Sequence, residues 1–537
     1  MSSQNKEAPI VEYVGAEKST GLHGQPDVQN GYSRDISEAE LAEIKAVKQG
    51  LHQRHISMIA LAGTIGTGLF LGYTFIGLAV SPMVLSVAEM GALVPLSGGV
   101  VRYIEYFVDP ALSFANGWNL MYSYFIGIPA EIVAAAVLVE FWVYVNNAIW
   151  ITVFGALMVL TAVLFVRVYG ELEFFFSWLK ILLIIGINIM ALVITCGGGP
   201  DHKSIGFRYW HNPGAFVQYL QVPGALGRFM GFWTTLNNAL YAYSGIETIT
   251  VAAAETRNAR AAIPHAAKRV FWRIVIFYVL TIFMVGLIVP SNDPHLLAKT
   301  GTASQSPFVI AATRAGIKVV PSIINSVVLT SAWSAGNSSL LGGSRVLFGM
   351  AQHGHAPRLF LRINRFGVPY LAVALISVFM SLGYMTLSHS ASTVFGWLQD
   401  LVAVSSLVNW IVICITYLRF YYACRVQNID RHAELPWAAP FQPYITWASL
   451  GLFSVLLLTG GYSTFIKHHW STETSIASYF NIPFILVLYF GYKIWKKTSI
   501  IPLRELPIRG FIRIYQSEPV PEVKVKRGLQ KLNFLWG

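Results

Sequence analysis

The sequence predicts an all-α polytopic membrane protein of about twelve spans. Three observations carry that expectation. The 537-residue chain is 55% hydrophobic and only 12% charged, whereas soluble domains carry about 25% charged residues. Its mean hydropathy is +0.54. Apolar runs of spanning length recur from Ile56 to Trp495, separated by short polar or basic connectors. The net charge of +12 sits in connectors and tails, where it sets orientation and does not form a nucleic-acid footprint. Cys196, Cys414 and Cys424 give neither a disulfide framework nor a metal-ligand spacing.

Residues 1–53 read as a disordered cytoplasmic N-terminal tail, polar and without a cleavable signal segment. Lys6 and Lys18 are candidate modification sites there, and the tails are candidate docking points for ubiquitin-dependent trafficking machinery. A membrane domain follows over residues 54–496, then a C-terminal cytoplasmic tail over 497–537. From Ile56 to Val94 the chain is almost continuously apolar. That is about 58 Å of helix, nearly all needed for two crossings of a core about 30 Å thick. A two-span reading leaves only a bare turn at Gly72-Tyr73.

The first of these spans contains Ala62-Gly63-Thr64-Ile65-Gly66-Thr67-Gly68. Glycine is weak in helix interiors, so this composition predicts a helix broken part-way through the bilayer. Freed backbone groups in hydrocarbon survive only where protein, water or a ligand satisfies them. Half-helix ends at the midplane suit a zwitterion, because amides meet its anionic end and carbonyls its cationic end. Close helix packing is the other reading of such glycines.

Further spans are expected at about 118–144, 148–165 and 174–196, with a Gly/Pro/Trp-bearing loop over 197–228. The sixth, over about 229–254, contains Tyr243-Ser244-Gly245, a second candidate break. Six more follow, at about 270–289, 321–350, 369–387, 398–418, 444–465 and 476–495. Breaks in spans one and six are what an inverted five-plus-five repeat produces. Arg257, Arg260, Lys268, Arg269 and Arg273 follow span six, and Arg358, Arg362 and Arg365 follow span eight. The positive-inside rule therefore places both termini in the cytoplasm.

Glu89, Glu131, Lys180 and Glu247 fall inside expected spans. Each costs about 2.5–3.5 kcal/mol at a helix centre, so an ion or proton pathway is the default reading. Glu89 lies about a turn from Pro95, where snorkelling to a membrane face competes. A buried Lys180 ammonium can stand where a sodium-coupled carrier holds its ion, which favours proton coupling. Glu247 lies two residues past Gly245, placed to take a proton or meet a substrate ammonium; pairing with Lys180 or a backbone amide is the structural alternative. Asn325, Ser331, Asn337, Ser338 and Ser339 in span eight, with Trp397, Asp400, Ser405, Ser406 and Asn409 in span ten, either line a cavity or bridge helices. His55, His353 and His355 read as interfacial, and no catalytic constellation stands out, so an enzyme is not expected.

The run Arg54-His55-Ile56-Ser57-Met58-Ile59-Ala60-Leu61, followed by Gly63-Thr64-Ile65-Gly66-Thr67-Gly68, resembles the opening of the fungal amino-acid permeases. These form the yeast amino-acid transporter family of the amino acid–polyamine–organocation superfamily. The likeness continues through Pro95-Leu96-Ser97-Gly98-Gly99, Phe107-Val108-Asp109-Pro110-Ala111 and Pro129-Ala130-Glu131-Ile132-Val133. It resumes in Val168-Tyr169-Gly170-Glu171-Leu172-Glu173-Phe174, Ala252-Ala253-Ala254-Glu255-Thr256-Arg257-Asn258 and Ser334-Ala335-Gly336-Asn337-Ser338-Ser339. A narrower likeness, in Ser306-Pro307-Phe308-Val309-Ile310 and Phe366-Gly367-Val368-Pro369-Tyr370, points to the dicarboxylic branch.

The resemblance implies a LeuT-like five-plus-five inverted repeat with two further helices, and proton-driven amino-acid uptake at the plasma membrane. It implies that acidic or small neutral amino acids are favoured. By position, Thr64, Ile65, Gly66, Thr67 and Gly68 match the family's substrate-carboxylate segment. Tyr243, Ser244, Gly245 and Glu247 match its unwound sixth helix, and Glu131 and Lys180 match positions tied to proton coupling. The expected partners are an amino acid, H⁺ and the lipid bilayer, with no cofactor and no nucleic acid. One departure stands out. Leu69-Phe70-Leu71-Gly72 runs straight into Tyr73-Thr74-Phe75-Ile76-Gly77, which looks like second-helix sequence, so about fifteen to twenty residues of the family pattern are missing. A transport-deficient isoform and an amino-acid sensor of the same fold are therefore the alternatives.

Overall fold

The computed structural model describes residues 70–94, 99–143, 145–164, 166–199, 202–214, 222–248, 260, 263–268, 274–291, 293, 306–364, 367–466 and 470–517. The glycine-rich segment Thr64, Ile65, Gly66, Thr67 and Gly68 lies outside the described residues. Among those described, every regular element is helical.

Helix α1 spans Phe70–Leu93 without interruption. This overturns the bare turn expected at Gly72-Tyr73. One glycine costs a helix only about 1 kcal/mol, whereas an open turn in hydrocarbon strands several backbone groups. The short α2 (Val100–Phe107) leads to α3 (Pro110–Val139). Asp109 caps α3, its carboxylate accepting from the Ala111 amide at 2.9 Å, and Pro110 takes the first helical position, where a missing N–H costs nothing. Next come α4 (Asn147–Leu164) and α5 (Val166–Thr195). Helix α5 starts eight residues before the sequence suggested and so carries Glu173 inside it.

Helix α6 covers Gly224–Tyr243 and α7 covers Leu280–Ile288. The short α8 (Pro307–Arg314) precedes α9 (Val320–Gln352). After α10 (Tyr370–Val378), which continues as a tighter helix over Phe379–Leu387, comes α11 (Ala391–Val426). The one-turn α12 (Arg431–Glu434) connects to α13 (Tyr444–Thr459). Helices α14 (Thr472–Tyr479) and α15 (Asn481–Lys496) form a pair bent by 41°.

Five stretches among the described residues are long and apolar enough to cross a membrane: Tyr73–Leu93, Pro110–Val139, Leu172–Thr195, Tyr370–Leu387 and Thr393–Val426. The bent α14–α15 pair makes a sixth if it is one span. Helix α9 is 33 residues long but studded with Ser and Asn, many of them buried. Its most extensive packing is against α3, which also packs broadly against α11. Helix α3 is thus the axis of the bundle and lays Asn116, Asn119 and Glu131 among its neighbours. Close approach of α9 to α3 requires Gly343, since a Cβ there would lie 2.9 Å from Tyr124 Cγ.

Past Lys496 the chain returns to the bundle. Ile501 donates its amide to the Val108 carbonyl at 3.0 Å, and Gln427 donates to the carbonyls of Leu503 and Leu506. Helix α16 (Ile508–Ser517) buries Ile508, Phe511 and Ile512. Phe511 packs edge-on against Tyr106 of α2.

Glu89 does not snorkel. It is fully buried near the end of α1, and its carboxylate accepts from Arg431 Nε at 2.8 Å and from the Arg431 terminal nitrogen at 2.7 Å. The Tyr417 hydroxyl donates to it at 2.6 Å and the Ala439 amide at 2.9 Å. A bidentate guanidinium with two further donors satisfies a buried carboxylate where it stands, so no route to water is needed.

Candidate functional site

Helix α6 stops at Tyr243, where the sequence placed a break. Ser244 is extended (φ −57°, ψ 136°), Gly245 has φ +83°, and a single tighter turn, Ile246–Thr248, follows. These dihedrals are those of a type II turn, whose third position needs a positive φ and hence glycine. The Ser244 amide is tied back to the Tyr241 carbonyl at 3.1 Å, and the Ala242 carbonyl accepts from the Tyr278 hydroxyl at 3.4 Å.

Polar connections to α1, α3 and α11 surround this break. Ser244 shares a hydrogen bond with Ser406 of α11. Glu247 is buried, and its two carboxylate oxygens accept from Asn409 Nδ2 at 2.8 Å and Trp410 Nε1 at 3.1 Å. Asn409 is oriented in turn by Asn116 of α3, whose Nδ2 donates to Asn409 Oδ1 at 2.8 Å. Asn409 and Trp410 of α11 thus hold Glu247. Below the break, Tyr243 is buried and donates to the backbone carbonyl of Tyr73 at 2.7 Å. Its ring stacks on Tyr278 at 5.3 Å, and Tyr278 stacks on Tyr73 at 6.0 Å. The stack on Tyr278 and the hydrogen bond to Tyr73 fix the position of Tyr243 in the α6 end.

A second cluster gathers around Glu131 of α3 and Lys180 of α5. Glu131 Oε1 accepts from the Tyr241 hydroxyl at 2.9 Å, so it is tied to the last turn of α6. Gly336 of α9 lies against it, since a Cβ there would sit 3.5 Å from Glu131 Cβ. Lys180 is buried, donates to Ser334 Oγ at 3.2 Å, and lies within electrostatic reach of both Glu173 and Glu131. Ser334 Oγ donates to Glu173 Oε2 at 2.5 Å, and Lys180 Nζ is 4.0 Å from Glu173 Oε1. The structure therefore gathers Glu131 and Lys180 into one region and Tyr243, Ser244, Gly245 and Glu247 into another, with Tyr241 linking the two along α6.

Sequence reasoning missed Glu173. Its spacing of seven residues from Lys180 puts both on one helix face, which was the available signal. The partners Tyr241, Asn116 and Trp410 were also missed, because each comes from another helix. Ser405, Ser406 and Asn409 of span ten bridge helices. Ser405 exchanges hydrogen bonds with Asn119, and Ser406 and Asn409 reach Ser244 and Glu247. In span eight, Asn337 accepts from Thr161 of α4 at 2.6 Å. Among the described residues, no group of three or more His, Cys, Asp or Glu is arranged to hold a metal ion. His355, beyond the end of α9, is buried, and that burial pushes its imidazole below the usual histidine range.

This arrangement of a broken helix end with a buried carboxylate beside it is one that suits a small charged solute better than a covalent reaction. Comparison with known proteins agrees with a transporter. The amino acid permease family model matches residues 50–503. The chain is 39% identical to the proline-specific permease of Saccharomyces cerevisiae, over 90% of this chain and 82% of that protein. It is 36% identical to the dicarboxylic amino acid permease of the same yeast, over 88% and 81%. It is 34% identical to that yeast's general amino-acid permease, over 88% and 82%. Among solved structures, the fold is similar to that of a mutant manganese transporter from Eremococcus coleocola, with TM-score 0.54 and 12% identity, covering 90% of this chain and 99% of that one. The chain is a multi-pass membrane protein of the amino acid permease family, a transporter and not an enzyme.

Proposed function

We propose that this permease imports amino acids across the plasma membrane by proton symport, acting on acidic or small neutral amino acids. The observation that carries the reading is the break in α6 at Ser244-Gly245, with Glu247 buried beside it. Carbonyls at the end of α6 form a negative pole for the substrate ammonium. The substrate carboxylate would meet the amides of Thr64, Ile65, Gly66, Thr67 and Gly68. Glu131, Lys180 and Glu247 are the proton-bearing candidates. Relatives named for proline and for dicarboxylic amino acids support the substrate classes. The reading includes an inverted five-plus-five repeat with two added helices, about twelve spans, and both termini in the cytoplasm, where the tails would meet trafficking machinery.

A second reading has its own observation. Second-span sequence follows the glycine-rich segment directly, and α1 runs from Phe70 to Leu93, so the family pattern's outer half-helix and loop have no residues of their own here. A transport-deficient isoform, or a sensor that binds amino acids without moving them, would have this feature.

Competition uptake with acidic, neutral and basic amino acids at two external pH values tests the proposal. Symport predicts that accumulation rises as external pH falls, that a protonophore abolishes it, and that acidic or small neutral competitors suppress it most. Binding without accumulation at either pH would favour the second reading.

A further inference from the structure

Glu173 is a buried charge that the binding site does not use. It lies two turns before Lys180 on the same face of α5, about 10 Å along the axis. With both termini cytoplasmic, that places it on the inner side of Lys180. Ser334 of α9 stands between them with its hydrogen bonds already polarised. It accepts from the Lys180 ammonium at 3.2 Å and donates to the Glu173 carboxylate at 2.5 Å. All three side chains are buried, and the ionisable groups that act on Lys180 are Glu173 on its own helix and Glu131 on the neighbouring α3. Glu131 in turn is tied to the broken helix through Tyr241.

We propose that Glu173 is the proton-exit group of the transport cycle, receiving its proton from Lys180 through the hydroxyl of Ser334. This rests on the symport reading and deepens it. In the step, the Lys180 N–H bond breaks as a proton passes to Ser334 Oγ. The Ser334 O–H bond breaks as its own proton passes to Glu173 Oε2. The ammonium becomes an amine, the hydroxyl is regenerated and the carboxylate becomes a carboxylic acid, so charge and atoms balance without a co-reactant. Glu173 then releases the proton inward, and a proton from the Glu131 side restores the ammonium.

The test uses full-length protein in liposomes, probed with the full set of labelled proteinogenic amino acids. Two quantities are read: accumulation driven by an inward proton gradient, and exchange at equal pH, which needs no proton release. Glu173→Gln keeps an acceptor for Ser334, so packing is preserved. It is expected to lower driven accumulation about 100-fold while exchange persists. Ser334→Ala should do the same, and Ser334→Thr, which restores a hydroxyl, should recover driven accumulation. Gradient-driven accumulation by Glu173→Gln at the wild-type level would overturn the relay. Equal loss of exchange and accumulation would also overturn it, because Glu173 would then be serving structure or binding. Wild-type exchange that ignores the gradient would instead refute symport, and the relay with it. Absence of any wild-type exchange would refute the carrier reading on which both stand.

Discussion

Glu89→Ala is expected to destabilise the detergent-solubilised protein by about 3–5 kcal/mol, the cost of leaving one member of a buried ion pair without its partner. Four donors from three sources converge on this carboxylate: Arg431 twice, the Tyr417 hydroxyl and the Ala439 amide. Arg431 also lies over the Tyr421 ring at 4.7 Å. The network thus fastens the end of α1 to α11 and to the α12 connector. The double variant Glu89→Met with Arg431→Met should recover much of the loss, because no buried charge is left unmatched. Thermal melting followed by size-exclusion profile measures both. An unchanged melting temperature for Glu89→Ala would show that the network is solvated and contributes little.

The second large effect is on transport. Glu247→Ala strands two buried donors, Asn409 Nδ2 and Trp410 Nε1, at about 1–3 kcal/mol each. Glu247→Gln separates the two roles of this residue. Its amide oxygen still accepts one hydrogen bond, so folding should be nearly preserved, but the charge beside the break is gone. A lost charge contact of about 3 kcal/mol corresponds to about a 100-fold drop in uptake. Normal uptake by Glu247→Gln would reduce Glu247 to a bridge between the α6 break and α11.

The sequence and the fold agree most closely where one segment decides its own conformation. Tyr243-Ser244-Gly245 predicts a break because glycine can adopt φ +83°, and α6 ends there. What was not legible came from distant partners. Glu89 meets Arg431 across 342 residues, and Glu131 meets Tyr241 across 110. No local pattern encodes such pairings, so Glu89 read as a snorkelling residue. Glu173 was passed over because the polar stretch around Gly170-Glu171 read as a connector, whereas α5 runs through it. At Gly72-Tyr73 the error ran the other way. Two spans in that length leave only a bare turn there, but a single glycine costs about 1 kcal/mol and α1 runs through it.

The central claim is that the α6 break is where the amino acid sits. Ser244→Cys in a Cys196→Ser background leaves only the buried Cys414 and Cys424 besides the probe thiol. The rate of its alkylation by a membrane-permeant maleimide, with and without saturating transported amino acid, tests that placement. The account predicts marked protection by every amino acid that competes for uptake and none by those that do not. Equal alkylation rates in both cases would contradict it.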